Sequence, residues 1–407
     1  MQQVTSGQER VGLYTGDGIM RARFLARLGL HKVEHARFAF MVYNTCSAFS
    51  QTINCPGIFP TARNKRRRPS LTLNELLTRH LARRDSLDKK ARESLLKDHS
   101  SGRNIIWATD DYRGKGSQAG FSDPIFMDAL YMGGQLILPR VFKDTAQQSN
   151  RTRHKAEVFT PSWVCNRQNN LVDAAWFGRN DVFNRETAAG WETNPAIITF
   201  PGQKGKSWQA YVDAPRMEIA CGEAPYLASR YDTVTGQEIA VSRRVGILDR
   251  KLRVVSENTH ESDEWLTWAR RALEACYGYE WQGDSLILAR ENLLFTAMDF
   301  YAERFGSTLP ARAQQTFAHR ISWNLWQMDA LKGVIPGSCH EVTETDVQLT
   351  GTATITRPCP GCGGKKLPHN GIYCLVRDWR AKVYQRYIDL PDAGKSSSNP
   401  RTGGKNG

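Results

Sequence analysis

The chain has 407 residues, 40% of them hydrophobic and 24% charged, the make-up of a folded protein with a sizeable core rather than a disordered or fibrous chain. Its formal net charge of +14 favours a polyanionic partner, nucleic acid being the commonest. No apolar run spans a bilayer and the opening residues MQQVTSGQERVG lack a secretory apolar core. Nine scattered cysteines do not suit a disulfide framework, so a cytoplasmic protein with reduced thiols and no membrane partner is expected.

Residues 1–150 read as a basic, partly helical region. Gly18 to Phe40 has helical spacing with many arginines, and Asn64 to Arg68 (NKRRR) is a short cationic run suited equally to phosphate or to solvent. Leu71 to Leu96 predicts one or two helices with leucines on a repeating face. Asn104 to Thr109 predicts a strand, Asp123-Pro124-Ile125-Phe126 a turn, Gln135 to Pro139 a short strand, and Lys143 to Lys155 a polar linker.

Residues 151–335 alternate between helical and strand-like patterns. Phe159-Thr160-Pro161 is an extended stop ahead of a helix, with Thr160 as its cap and Pro161 in its first turn. Ile197 to Phe200 predicts a strand in an Asn-, Gly- and Trp-rich insertion. Arg216 to Leu227 (RMEIACGEAPYL) reads as a strand bearing Glu218 that ends on Ala220-Cys221-Gly222, with a helix expected after Pro225. Small residues at such a turn bring backbone N–H groups close to a ligand, although a glycine between strand and helix is more often only a turn. Asp263 to Ala275 predicts a helix, Cys276 to Glu280 a strand ending on an acid, and Ser285 to Phe305 a long amphipathic helix. Arg320 to Leu331 predicts another strand, ending near Asp329. The alternation argues for a parallel sheet with crossover helices, whose ligands bind at the carboxyl ends of the strands. Glu218, Glu280 and Asp329 all fall there. A lone acid of this kind is usually a surface residue; three in register suit a nucleoside with a cationic appendage.

In residues 336–394, Cys359-Pro-Gly-Cys362 followed by Gly363-Gly364 has the spacing of a zinc-knuckle turn, with His369 and Cys374 as the remaining ligands of a tetrahedral site. The competing reading is a Gly-rich turn with incidental thiols. GIYCLVRDW predicts a strand in basic surroundings (Arg377, Arg380, Lys382, Arg386), and residues 395–407 form a polar tail expected to be disordered.

Several of these blocks, in this order, resemble the adenine-specific DNA methyltransferases of restriction–modification systems. KAEVFTP is similar to that family's first block, and MEIACGEAPYL to its strand–turn block, with Ile219 in place of the usual Pro and Ala224 in place of the last Gly. YGYEWQGDSLILARENLL and WNLWQMDAL resemble the next two. The resemblance implies an α/β fold with a Rossmann-like methyltransferase sheet across 151–335, to which the residues themselves add a helical basic N-terminal region and, if the CxxC turn is a metal site, a small zinc-bearing C-terminal segment. It implies S-adenosylmethionine as cofactor, held by Phe159, Thr160, Pro161, Glu218, Ala220, Cys221 and Gly222, with Glu280 on the ribose and Asp329 on the adenine. DNA would be the substrate, and a restriction or specificity subunit a further partner. The family's catalytic Asn/Asp-Pro-Pro-Tyr/Phe is absent downstream of Asp329. The nearest sequence, Asn370-Gly-Ile-Tyr373, keeps only the outer residues, so Asn370 and Tyr373 are the candidates for the target base. A catalytically incomplete cofactor- and DNA-binding subunit is the second expectation, and a zinc-stabilised nucleic-acid-binding protein the third.

Overall fold

The computed structural model describes residues 73–114, 119–131, 137–143, 160–188, 190–348, 351–363 and 367–390. The helical reading of 18–40, the cationic run at 64–68, most of the 143–155 linker, Phe159 and the 395–407 tail lie outside them.

Two helices, α1 (Leu73–Asp85) and α2 (Lys89–Leu96), open the described chain; Asp88 caps α2 by accepting from the Ala91 N–H. The predicted strand at 104–109 makes only isolated bridges, one of them Ile106 to Pro124, and a single-turn helix α3 (Asp128–Tyr131) follows. Helix α4 (Ser162–Phe177) starts one residue after Pro161, and Thr160 is not its cap. The Ser162 N–H is instead held by the carboxylate of Asp232 at 2.7 Å. An antiparallel hairpin, β1 (Asn184–Thr187) with β2 (Gly190–Thr193), occupies the Asn-, Gly- and Trp-rich insertion, and Ile197 to Phe200 is not a strand.

The middle of the chain builds one small parallel sheet. A short helix α5 (Trp208–Asp213) leads into β3 (Arg216–Ile219); α6 (Ile247–Asn258) and α7 (Ser262–Glu274) cross over to β4 (Cys276–Glu280); α8 (Gly283–Phe305) and α9 (Ala311–Asn324) cross over to β5 (Leu325–Gln327). The order is β3-β4-β5, with Glu218 paired to Gly278 and Glu280 to Gln327. The parallel sheet with crossover helices expected from the alternation is present, and among the described residues it has three strands. Residues 320–324 are the end of α9, not the start of a strand.

Side chains alternate across this sheet, as the period of two requires. One face, with Cys276 and Leu325, joins the main core of α2, α6, α7, α8 and α9. The other, with Tyr277, Tyr279, Trp326 and Met328, packs against Cys374, Val376, Tyr387 and Leu390 of the C-terminal segment. That segment holds two antiparallel hairpins, β6 (Val342–Gln348) with β7 (Gly351–Arg357) and β8 (Leu375–Asp378) with β9 (Val383–Arg386). Helix α8 is buried along almost its whole length, and α1 is joined to it by a buried bidentate pair, Arg84 to Glu291, at 2.8 Å for each contact. Among the described residues no helix is long and apolar enough to cross a membrane.

Buried cations fix the amino ends of the strands. Lys251 Nζ donates to the carbonyls of Val212, Ala214 and Ala275, just ahead of β3 and β4. Arg290, fully buried, donates to the carbonyls of Leu95, Lys97, Ser322 and Leu325 and so ties the ends of α2 and α9 to β5. Several of them are helix-end carbonyls, which have no partner within their own helix.

Candidate functional site

The carboxyl ends of β3, β4 and β5 bring Glu218, Glu280 and Asp329 to one end of the sheet. After Ile219 the chain takes three left-handed steps, at Ala220 (φ 46), Gly222 (φ 54) and Ala224 (φ 61). These conformations are incompatible with a helix, and residues 221–227 form turns in place of the helix expected after Pro225. Cys221 extends the ladder by donating its N–H to the Tyr279 carbonyl at 2.9 Å.

Glu218 turns inward. Its carboxylate accepts from the N–H groups of Leu227 (3.1 Å) and Tyr226 (3.4 Å), holding the turn closed. Burial, with the Glu280 charge adding to it, lifts its carboxyl well above the ordinary range, and burial likewise pushes the Cys221 thiol up. Glu280 faces the turn: it accepts from Gly222 N–H at 2.8 Å, and from Trp281 and Gln282 N–H at 2.9 and 3.2 Å. Trp281, 38% exposed, lies next to it with its indole N–H on the Ala108 carbonyl. The sequence reading missed this ring, although an aromatic directly after a strand-end acid was visible in the string YEW. Asp329 accepts from Leu331 N–H at 3.1 Å and pairs with Lys332 at 3.3 Å.

The second constellation is a cluster of Cys339, Cys359, Cys362 and His369, whose ligand atoms all lie within 4.8 Å of one another. His369 Nδ1 is 3.7 Å from Cys339 Sγ, 3.7 Å from Cys359 Sγ and 3.6 Å from Cys362 Sγ. In a tetrahedral zinc site with Zn–S near 2.3 Å and Zn–N near 2.0–2.1 Å the sulfur–nitrogen edge is about 3.5 Å, so the four donors fit that ion. The cluster can hold a metal such as zinc. Burial pushes the Cys339 thiol up to about 11, with the other two thiols adding to it. Loss of solvent pulls Cys359 the same way, but the N–H groups of Asn370, Cys362 and Gly361 and the His369 ring outweigh it and hold that thiol at about 6.

The ligand set differs from the predicted one by one residue. Cys374 is buried against the sheet, its thiol on the Gln327 carbonyl at 3.2 Å, and does not reach the cluster. Cys339 supplies the fourth donor because the β6–β7 hairpin folds back on itself and returns the chain to its own starting point. Asn370 and Tyr373 stand beside this cluster. The Asn370 side chain exchanges hydrogen bonds with the backbone of His340, and its N–H donates to Cys359 Sγ at 3.3 Å. The Tyr373 hydroxyl accepts from the His369 N–H at 2.7 Å. Both support the ligand loop.

The two constellations are neighbours. Val334 bridges to Asp329 on one side and to Tyr373 on the other. A cavity of about 240 Å³ is lined by Asp329 and Lys332 together with Cys339, Cys359 and Cys362. No protein-family model, curated protein or solved structure matches the chain.

Proposed function

We propose that the carboxyl end of the three-stranded sheet binds S-adenosylmethionine and that the protein is an adenine-directed DNA methyltransferase of a restriction–modification system. The observation that carries this reading is the arrangement of Glu218, Glu280 and Asp329 at the carboxyl ends of adjacent parallel strands, with the Glu280 carboxylate 2.8 Å from the Gly222 N–H. Glu280 would exchange its backbone donors in part for ribose hydroxyls, Trp281 would offer a flat face to the adenine, and Asp329 would accept from the adenine amino group. Incubation with tritium-labelled S-adenosylmethionine and adenine-containing DNA, beside a calorimetric cofactor titration, tests it. Label in the DNA is the expected result, and no cofactor binding would overturn it.

A second reading has its own observation. The polar groups of Asn370 and Tyr373 are engaged at the metal cluster, and no Asn/Asp-Pro-Pro-Tyr/Phe exists to replace them. That favours a cofactor- and DNA-binding subunit whose catalytic turn comes from a partner. Cofactor binding without label, restored to labelling by the partner, is its signature.

A further inference from the structure

The amino ends of the strands carry a surface that the cofactor reading does not use. In the β8–β9 hairpin Arg377 lies directly opposite Tyr384, so the two side chains project from the same face as cross-strand neighbours. That face meets Trp323, at the end of α9 and just ahead of β5. The Arg377 guanidinium lies 5.4 Å from the Trp323 ring centre and 4.7 Å from that of Trp379. Trp323 stacks on His99 at 4.1 Å with 9° between the planes, and its centre is 5.9 Å from Tyr384. The run His99–Trp323–Tyr384 thus ends on an outward ring, since Tyr384 is 62% exposed. Arg320 and Arg380 have carboxylate partners in Glu274 and Asp213, whereas Arg377 has none among the described residues: its guanidinium lies against the two indoles, with Nε buried there and unbonded.

We propose that this platform binds single-stranded nucleic acid, one unpaired base stacking on the outer face of Tyr384 while a neighbouring phosphate oxygen meets Arg377. An exposed aromatic ring beside a guanidinium that has no carboxylate partner is what a flexible strand offers partners for, because every base has a π-face and every linkage a charge. The net charge of +14 gives such a strand a long-range attraction as well. A duplex, with its bases stacked internally, would use Arg377 but not the ring. The surface lies at the end of the sheet opposite to Glu218, Glu280 and Asp329, so it stands whether or not those acids hold a cofactor.

The test is fluorescence anisotropy of the full chain with a labelled single-stranded DNA of mixed sequence, the same strand with abasic sites, and its duplex. Loss of one base stack is expected to weaken Tyr384→Leu roughly tenfold on the intact strand, while Tyr384→Phe binds as wild type. The abasic strand is expected to bind wild type and Tyr384→Leu alike. Arg377→Gln should flatten the plot of log affinity against log salt by about 0.7, one phosphate contact on a single strand. Unchanged binding by Tyr384→Leu, or a duplex bound as tightly as the strand, would overturn the proposal; because Tyr384 is exposed, an unchanged melting temperature separates loss of contact from loss of fold. A calorimetric cofactor titration on Tyr384→Leu is expected to match wild type, which keeps a failure here distinct from a failure at the strand ends.

Discussion

Glu218 and Glu280 sit on neighbouring strands and do different work. Glu218 is buried on two N–H groups and holds a raised carboxyl, whereas Glu280 is turned toward the Gly222 N–H and the opening beside Trp281. A raised folded value means that the folded protein keeps a proton the unfolded chain has lost, so this contribution to stability is complete below about pH 4.5 and fades as pH rises through the raised value. Glu218→Gln removes that slope: calorimetric melting between pH 5 and pH 8 should show wild type losing stability relative to the variant, and parallel curves would contradict the neutral acid. Glu280→Ala should instead abolish cofactor binding in the same titration that detects it for wild type, with unchanged affinity ruling out the ribose assignment. Glycines divide in the same way. A Cβ on Gly283 would lie 2.0 Å from the Ile106 carbonyl oxygen, so Gly283→Ala must push α8 away from that segment, at a cost of about 1–3 kcal/mol. Gly222 has open space and only a left-handed φ of 54, so Gly222→Ala should cost about 1 kcal/mol. Denaturant midpoints of the two variants measure the difference.

At the scale of elements, β4 and α8 were legible because each carries a single uninterrupted pattern, five strand residues ending on Glu280 and a long apolar run after Gly283. Residues 320–324 were not. Their aromatic and β-branched side chains suit a strand, but Ile321 and Asn324 extend the buried face begun by Phe317 and Ala318, and packing on α2 and α7 decides for helix. The turn after Gly222 was misread because nothing in the letters of Ala220 and Ala224 announces a left-handed backbone. The fourth metal ligand was misread for a topological reason: Cys374 is nearer in sequence, but only the return of the β6–β7 hairpin reveals Cys339. Zinc content by atomic absorption separates the two directly. Cys339→Ser should lose bound metal and lower the melting temperature, whereas Cys374→Ser should keep its metal and show only the smaller cost of altering a buried thiol. Equal metal content in both variants would remove Cys339 from the site.

Across the whole molecule, the sheet has two different coverings: helices on one face and the C-terminal segment on the other. That second covering carries the cluster of Cys339, Cys359, Cys362 and His369, and Val334 fastens it to the last strand end through its two bridges, one to Asp329 and one to Tyr373. The double bridge would make a metal at the cluster and any ligand held at Asp329 thermodynamic partners. Whatever factor zinc adds to the affinity of that ligand, the ligand must add to the affinity for zinc, because the same cycle of states is traversed in either direction. Competition with a coloured chelator, run with and without saturating S-adenosylmethionine, should therefore give a shift equal to the one seen when the cofactor is titrated with and without zinc. Two bound ligands that leave each other's affinity untouched would show that Val334 joins the segments without transmitting anything between them.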